Sequence, residues 1–172
     1  MKDNSNKKFW ERIAKLYTAF QEKGNKDLYV SLCQKIKPQI NENQEVLELA
    51  CGTGQLTVFL ANSSKHWIAT DFSTKMVLEA KKRFNTKKVS YEIQDATKLS
   101  YEDHMFDVVL IANALHIMPQ PDEALKEIRR VLKPNGILIA PTFVYEAEIN
   151  KVRLLVMEKI GFKTFYQWTS KE

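Results

Sequence analysis

Cysteine, glycine and proline are scarce: the 172-residue chain holds two, five and five of them. So few glycines and prolines exclude collagen-like and low-complexity architectures. Cys33 and Cys51 form no C-x-x-C pair, so neither a disulfide scaffold nor a zinc site is expected, and both thiols should be reduced. His66, His104 and His116 are scattered, without a metal-binding spacing, and no metal site is expected. No stretch approaches the ~18 uncharged apolar residues that span a bilayer. No apolar run follows the polar start, so a signal peptide is not expected and the expected address is the cytoplasm.

Apolar residues make up 44% of the chain and charged residues 27%, which suits one packed domain rather than a disordered chain. The net charge of +5 comes from lysine, 21 against five arginines. Base-reading proteins favour arginine forks, so Lys7-Lys8, Lys81-Lys82 and Lys87-Lys88 read first as a solvated surface. Attraction to an anionic partner, RNA or a lipid headgroup surface, is the alternative.

Residues 7–23 space Phe9, Ile13, Leu16, Tyr17 and Phe20 as one helical face, ended by Gly24-Asn25. A second helix is expected over 26–37, with Leu28, Leu32 and Ile36 inward, stopping before Pro38. These form an N-terminal helical unit, 1–40, and the remainder, 41–172, a second unit. From there strands alternate with helices. Apolar runs at 45–50, 66–70, 89–93, 106–112 and 137–140 read as strands. Ser73 is placed to cap the helix carrying Met76, Val77 and Ala80. Pro121-Asp122-Glu123 opens another helix, with Leu125, Ile128, Val131 and Leu132 buried. Lys133 to Gly136 reads as a turn. A helix over 146–159 and an extended piece over 162–168 complete the pattern. Continuous apolar strands alternating with helices predict a parallel sheet covered on both faces, an α/β, doubly wound, Rossmann-like architecture. Ligands bind such sheets at the carboxyl ends of the strands.

Those ends carry Glu48, Cys51-Gly52-Thr53-Gly54, Asp71, Asp95 and 113–116. Gly52 and Gly54 permit a tight turn and close approach of a ligand, and a helix after Gly54 would aim free N–H groups at a negative group. The third glycine of a dinucleotide fingerprint is missing, since Gln55-Leu56-Thr57 follows Gly54. Glu48 would repel a pyrophosphate and suits a cationic ligand. Both features disfavour an NAD-type oxidoreductase. Asp71 can accept hydrogen bonds from a ribose diol, each worth about 1.5–3 kcal/mol when charge-assisted.

Glu48-Leu49-Ala50-Cys51-Gly52-Thr53-Gly54 resembles motif I of class I S-adenosylmethionine-dependent methyltransferases. Thr70-Asp71-Phe72-Ser73, Gln94-Asp95-Ala96, Asn113-Ala114-Leu115-His116 and Leu132-Lys133-Pro134-Asn135-Gly136 resemble the later motifs of that family, in order. The nearest flavour is its small-molecule branch, which includes quinone-biosynthesis and phosphatidylethanolamine methyltransferases. The resemblance implies a sheet ordered 3-2-1-4-5 and S-adenosylmethionine as cofactor. It implies cofactor contacts by Glu48, Ala50, Cys51, Gly52, Thr53, Gly54, Asp71, Phe72, Met76, Asp95, Ala96 and Asn113, with Tyr17 reaching in from an N-terminal lid. His116 is the candidate general base or acceptor hydrogen-bonder. Ala50 stands where the family usually has glycine, which is tolerable at negative φ. Too few residues follow Phe143 for both usual final strands, so the core is expected to be C-terminally short and to leave an edge for a partner chain. The expected acceptor is a small molecule, lipid-like or quinone-like, with no stable nucleic-acid partner and at most peripheral membrane contact. A nucleic-acid methyltransferase and a non-catalytic cofactor-binding protein are the competing readings.

Overall fold

The computed structural model describes residues 5–142, and the side chains of 7–19 and 25–142. Helices α1 (Ser5–Gly24) and α2 (Lys26–Ile36) precede the sheet. Then come β1 (Glu45–Leu49), the single turn α3 (Thr57–Leu60), β2 (His66–Asp71), α4 (Thr74–Arg83), β3 (Val89–Ile93), β4 (Phe106–Ile111), α5 (Pro121–Val131) and β5 (Leu132–Ile139). All five strands are parallel, ordered β3-β2-β1-β4-β5, as expected. The elements expected over 146–159 and 162–168 lie outside the described residues. No helix among the described residues is long and apolar enough to cross a membrane.

Alternation along the strands divides the core into two layers. Val46, Trp67, Ala69, Val108 and Leu110 face α2, α3 and Ala80 of α4. Leu47, Leu49, Val109 and Ile111 face Ile128 and Val131 of α5. Each such side chain contributes about 1.5–3 kcal/mol by leaving water. At the amino ends of β1 and β4, Asp107 accepts hydrogen bonds from the Glu45 backbone N–H at 2.9 Å and from Lys133 Nζ at 2.8 Å. That places β1 in register beside β4, so their carboxyl ends open together.

Several helical faces differ from the sequence expectation. In α1, Leu16 is 73% exposed while Phe9 and Ala14 are buried. The helix is rotated because its bulkier aromatics, Phe9, Trp10 and Tyr17, stack edge-on at ring separations of 5.1 and 5.5 Å. The Phe20 side chain lies outside those described. In α2 the buried stripe is Tyr29, Cys33 and Ile36, with Leu28 exposed. In α5, Ala124 takes the inward position and Leu125 is 40% exposed. Lys133 to Gly136 is a bulge within β5: pairing passes from Phe106↔Leu132 to Val108↔Ile137. There a Cβ on Gly136 would lie 2.9 Å from the Leu132 side chain and 3.1 Å from the Asp107 carbonyl.

Replacing Ile128, 1% exposed between α5 and the sheet, with alanine should cost about 2–5 kcal/mol in urea denaturation at unchanged slope. A cost under about 1 kcal/mol would show that this layer is not packed as described.

Candidate active site

The carboxyl ends of β1, β2, β3 and β4 open into one cavity of about 720 Å³, covered by α1 and α2. Its floor is the turn after β1. Ala50, Gly52 and Gly54 all take positive φ, 52°, 56° and 80°. The sequence expectation of negative φ at Ala50 is therefore corrected. The alanine is held there because the Cys51 N–H donates to the Thr70 carbonyl at 2.9 Å and the Gly52 N–H to Asp71 Oδ2 at 3.0 Å. A Cβ on Gly54 would meet the Ala80 Cβ at 3.3 Å, so this glycine lets α4 approach the turn rather than meeting a ligand.

The helix expected directly after Gly54 is present but starts later. Residues 52–56 form turns, and α3 begins only at Thr57. The Gly54 N–H closes onto the Cys51 carbonyl at 3.0 Å. The Cys51, Gly52 and Gly54 amides are thus all bonded within the protein and are not offered to an anion.

The acids set the electrostatics. Glu48, 2% exposed on the Val46–Trp67–Val108 layer, accepts at Oε2 from Thr57 Oγ1 (2.6 Å) and Trp67 Nε1 (2.8 Å). Burial pushes its pKa up to about 7, against the pull of those two donors. Asp71 accepts at Oδ2 from Gly52 and at Oδ1 from the Ser73 N–H (2.9 Å), and burial raises it to about 6. The Lys7 charge on α1 works against that rise. Ser73 caps α4 as expected, accepting from the Met76 N–H. Asp95 accepts at Oδ1 from the Thr97 N–H and hydroxyl, which turns the chain around the third strand tip.

Of the expected site residues, Tyr17, Glu48, Ala50, Cys51, Gly52 and Asp71 line the cavity, as do Phe72, Met76, Asp95, Ala96 and Asn113. Thr53, Gly54 and His116 do not. Thr53 is fully buried and accepts from Gln55 Nε2. His116 sits on a short turn whose neighbours Ile117 and Met118 reach the cavity instead. Its Nδ1 is buried without a hydrogen-bond partner, and burial lowers its pKa. Burial, with Glu48 and Asp71 nearby, pushes the Cys51 thiol well up, leaving it unreactive near neutral pH.

Likeness to known proteins places the chain in a family. The model described as a methyltransferase domain matches residues 47–140. The chain belongs to this family. A demethylmenaquinone methyltransferase of Lactobacillus johnsonii is 41% identical over 107 residues, covering 58% of this chain and 44% of that protein. One of Leptospira interrogans is 35% identical over 141 residues, 76% of this chain and 57% of that protein. The chain thus spans about half the length of the curated relatives it matches. A Thermotoga maritima structure described as an S-adenosylmethionine-dependent methyltransferase superposes with TM-score 0.74 at 26% identity, over 95% of this chain and 75% of that one.

In this methyltransferase domain the covering helices supply what sequence reasoning missed. Lys7, Trp10 and Tyr29 line the cavity, and Tyr29 is hydrogen-bonded to Tyr17. Trp10 could have been found, since it lies two helical turns before Tyr17 on the same face. Gln55 and Gln120 carry no such signal.

A carboxyl group whose pKa is higher folded than unfolded binds its proton more tightly when folded. Its stabilisation is present at low pH and lost as pH rises through the folded value. For Asp71 that window runs from 3.8 to about 6, and for Glu48 from 4.5 to about 7. The unliganded domain should therefore lose stability as pH rises across this range. Glu48→Gln should flatten the upper part of the slope. Urea denaturation from about pH 5 to 8 tests this, and parallel curves for the two proteins would refute it.

Proposed function

We propose that the chain binds S-adenosylmethionine in this cavity and transfers its methyl group to a small, quinone-like acceptor. One observation carries the reading: Glu48, Asp71 and Asp95 border the cavity, while the Cys51, Gly52 and Gly54 amides are bonded within the protein. That set of carboxylate acceptors fits a cationic nucleoside and not a dinucleotide. The bound cofactor would supply a methyl group already activated on sulfonium.

In this reading Asp71 holds the ribose with its remaining lone pairs, and Glu48 faces the cationic amino-acid end. Asp95 and the Ala96 backbone meet the adenine edge, between Phe72 and Met76. What remains for the protein is orientation and exclusion of water, and orientation can be worth about 7–11 kcal/mol. Residues 1–40 act as a lid, with Trp10 and Tyr17 over the 41–172 core. Trp10, Ile117, Met118 and Pro119 give the outer cavity an apolar wall suited to a planar acceptor. The quinone-like class also rests on the relatives' names. His116 would serve by shaping the loop that carries Ile117 and Met118. A cytoplasmic address, peripheral membrane contact and association through the sheet edge belong to this reading as well.

Calorimetry with S-adenosylhomocysteine tests it. The purified chain should bind, and Asp71→Ala should weaken binding roughly 10–100-fold, from the loss of charge-assisted hydrogen bonds and of the Gly52 anchor. Uptake of a dinucleotide with no affinity for S-adenosylhomocysteine would overturn the proposal.

A further inference from the structure

We infer that Trp67 and Thr57 are positioning residues: they clamp one oxygen of Glu48 inside the protein so that the other is presented to the cavity. The inference rests on the cofactor reading above. Both hydrogen bonds converge on Oε2, from Thr57 Oγ1 at 2.6 Å and Trp67 Nε1 at 2.8 Å. They come from different elements, the start of α3 and the middle of the sheet. On β2, Trp67 pairs with Val46, two residues before Glu48 on the same face of β1, so its indole reaches diagonally along the strand to the carboxylate.

Neither donor is needed for packing alone. Trp67 and Thr57 are fully buried, Trp67 among Val46, Leu60, Ala69 and Val108. Valine matches threonine in shape, and phenylalanine keeps one aromatic ring of the indole at the cost of a small cavity. What tryptophan and threonine add is a donor N–H and a donor O–H aimed at one oxygen. Two donors on a single oxygen fix the rotation of the carboxylate. Both also favour its ionised form, which burial opposes. Among the described residues the titratable groups facing Glu48 are Asp71, Cys33, Cys51 and Tyr91, and none of these is a cation at neutral pH. The two neutral donors therefore stand where a protein cation would otherwise hold the charge. The negative end of the site stays available to a cationic ligand instead of being neutralised by a lysine or arginine.

The test compares two probes by calorimetry: S-adenosylhomocysteine, which carries the ammonium-bearing amino acid, and 5′-methylthioadenosine, which lacks it. Trp67→Phe and Thr57→Val should each weaken S-adenosylhomocysteine about 5–20-fold near pH 7, from the lost bond to a charged group. Affinity for 5′-methylthioadenosine should stay within about twofold. The deficit should narrow as pH rises, because rising pH favours the same ionised form that the donors favour. In a Glu48→Gln background, Trp67→Phe should add no further loss. Equal loss for both probes, or no loss for S-adenosylhomocysteine, overturns the inference while leaving cofactor binding intact. If Trp67→Phe does not fold, Thr57→Val decides the matter alone. A wild-type chain that binds neither probe removes the cofactor reading and this inference with it.

Discussion

The site depends on the carboxylate of Asp71 more than on any other single group. It ends β2, yet its oxygens accept from Gly52 in the turn after β1 and from Ser73 at the cap of α4. Two chain segments, 19 residues apart at Gly52 and Asp71, thus meet at one charged group. Without it the Gly52 amide would be orphaned, and the left-handed turn would lose the contact that holds it shut. The same carboxylate keeps lone pairs in reserve, because an ionised carboxylate can accept about four hydrogen bonds. In the proposed reading, structural and ligand-binding duties share this one side chain without competing for the same lone pairs.

This arrangement leaves the cavity short of positive charge. Glu48 and Asp71 are both buried, and each holds its proton more tightly than an ordinary carboxyl group, chiefly because water is excluded. Their mutual repulsion raises Glu48 further. Lys7 on α1 is the cation acting on Asp71 among the described residues. A buried carboxylate without a partner is costly, and a cation entering the cavity relieves that cost. In the proposed reading this charge balance suits a positively charged guest and disfavours a pyrophosphate.

Strand positions and the Ser73 cap were legible because continuous apolar runs and capping residues act locally, whereas the strand order followed from the family resemblance of the motifs. The acidic strand tips were legible too, since the carboxyl ends of a parallel sheet are fixed once its strands are found. Helix faces were harder. In α1 and α2, leucines and aromatics both fall at helical spacing, so Leu16 and Leu28 read as buried as readily as Phe9 and Tyr29. Tertiary contact decided, and it chose the aromatics that stack and reach the cavity. The bulge at Lys133 to Gly136 read as a turn because its composition is that of a turn; only pairing with Asp107 and Val108 keeps it in the sheet. The loop after Gly54 misled for a different reason. A G-x-G implies a helix with free amides only when those amides have no nearer acceptor, and here Asp71 and the Cys51 carbonyl are nearer.

Ala50 shows how strongly the surroundings determine that turn. A left-handed conformation costs an ordinary residue about 1–2 kcal/mol relative to glycine. The chain carries that cost at a residue facing the cavity, flanked by the Cys51–Thr70 and Gly52–Asp71 hydrogen bonds. Strain of this kind persists only where neighbouring contacts over-determine the backbone. An alanine also has fewer conformations to lose on folding than glycine does, which offsets part of the penalty through the unfolded state. The first turn is therefore held in the shape a ligand would meet by bonds that already exist in the empty protein. Closing it on a ligand demands little further ordering of the backbone, and binding energy can go instead to the covering helices.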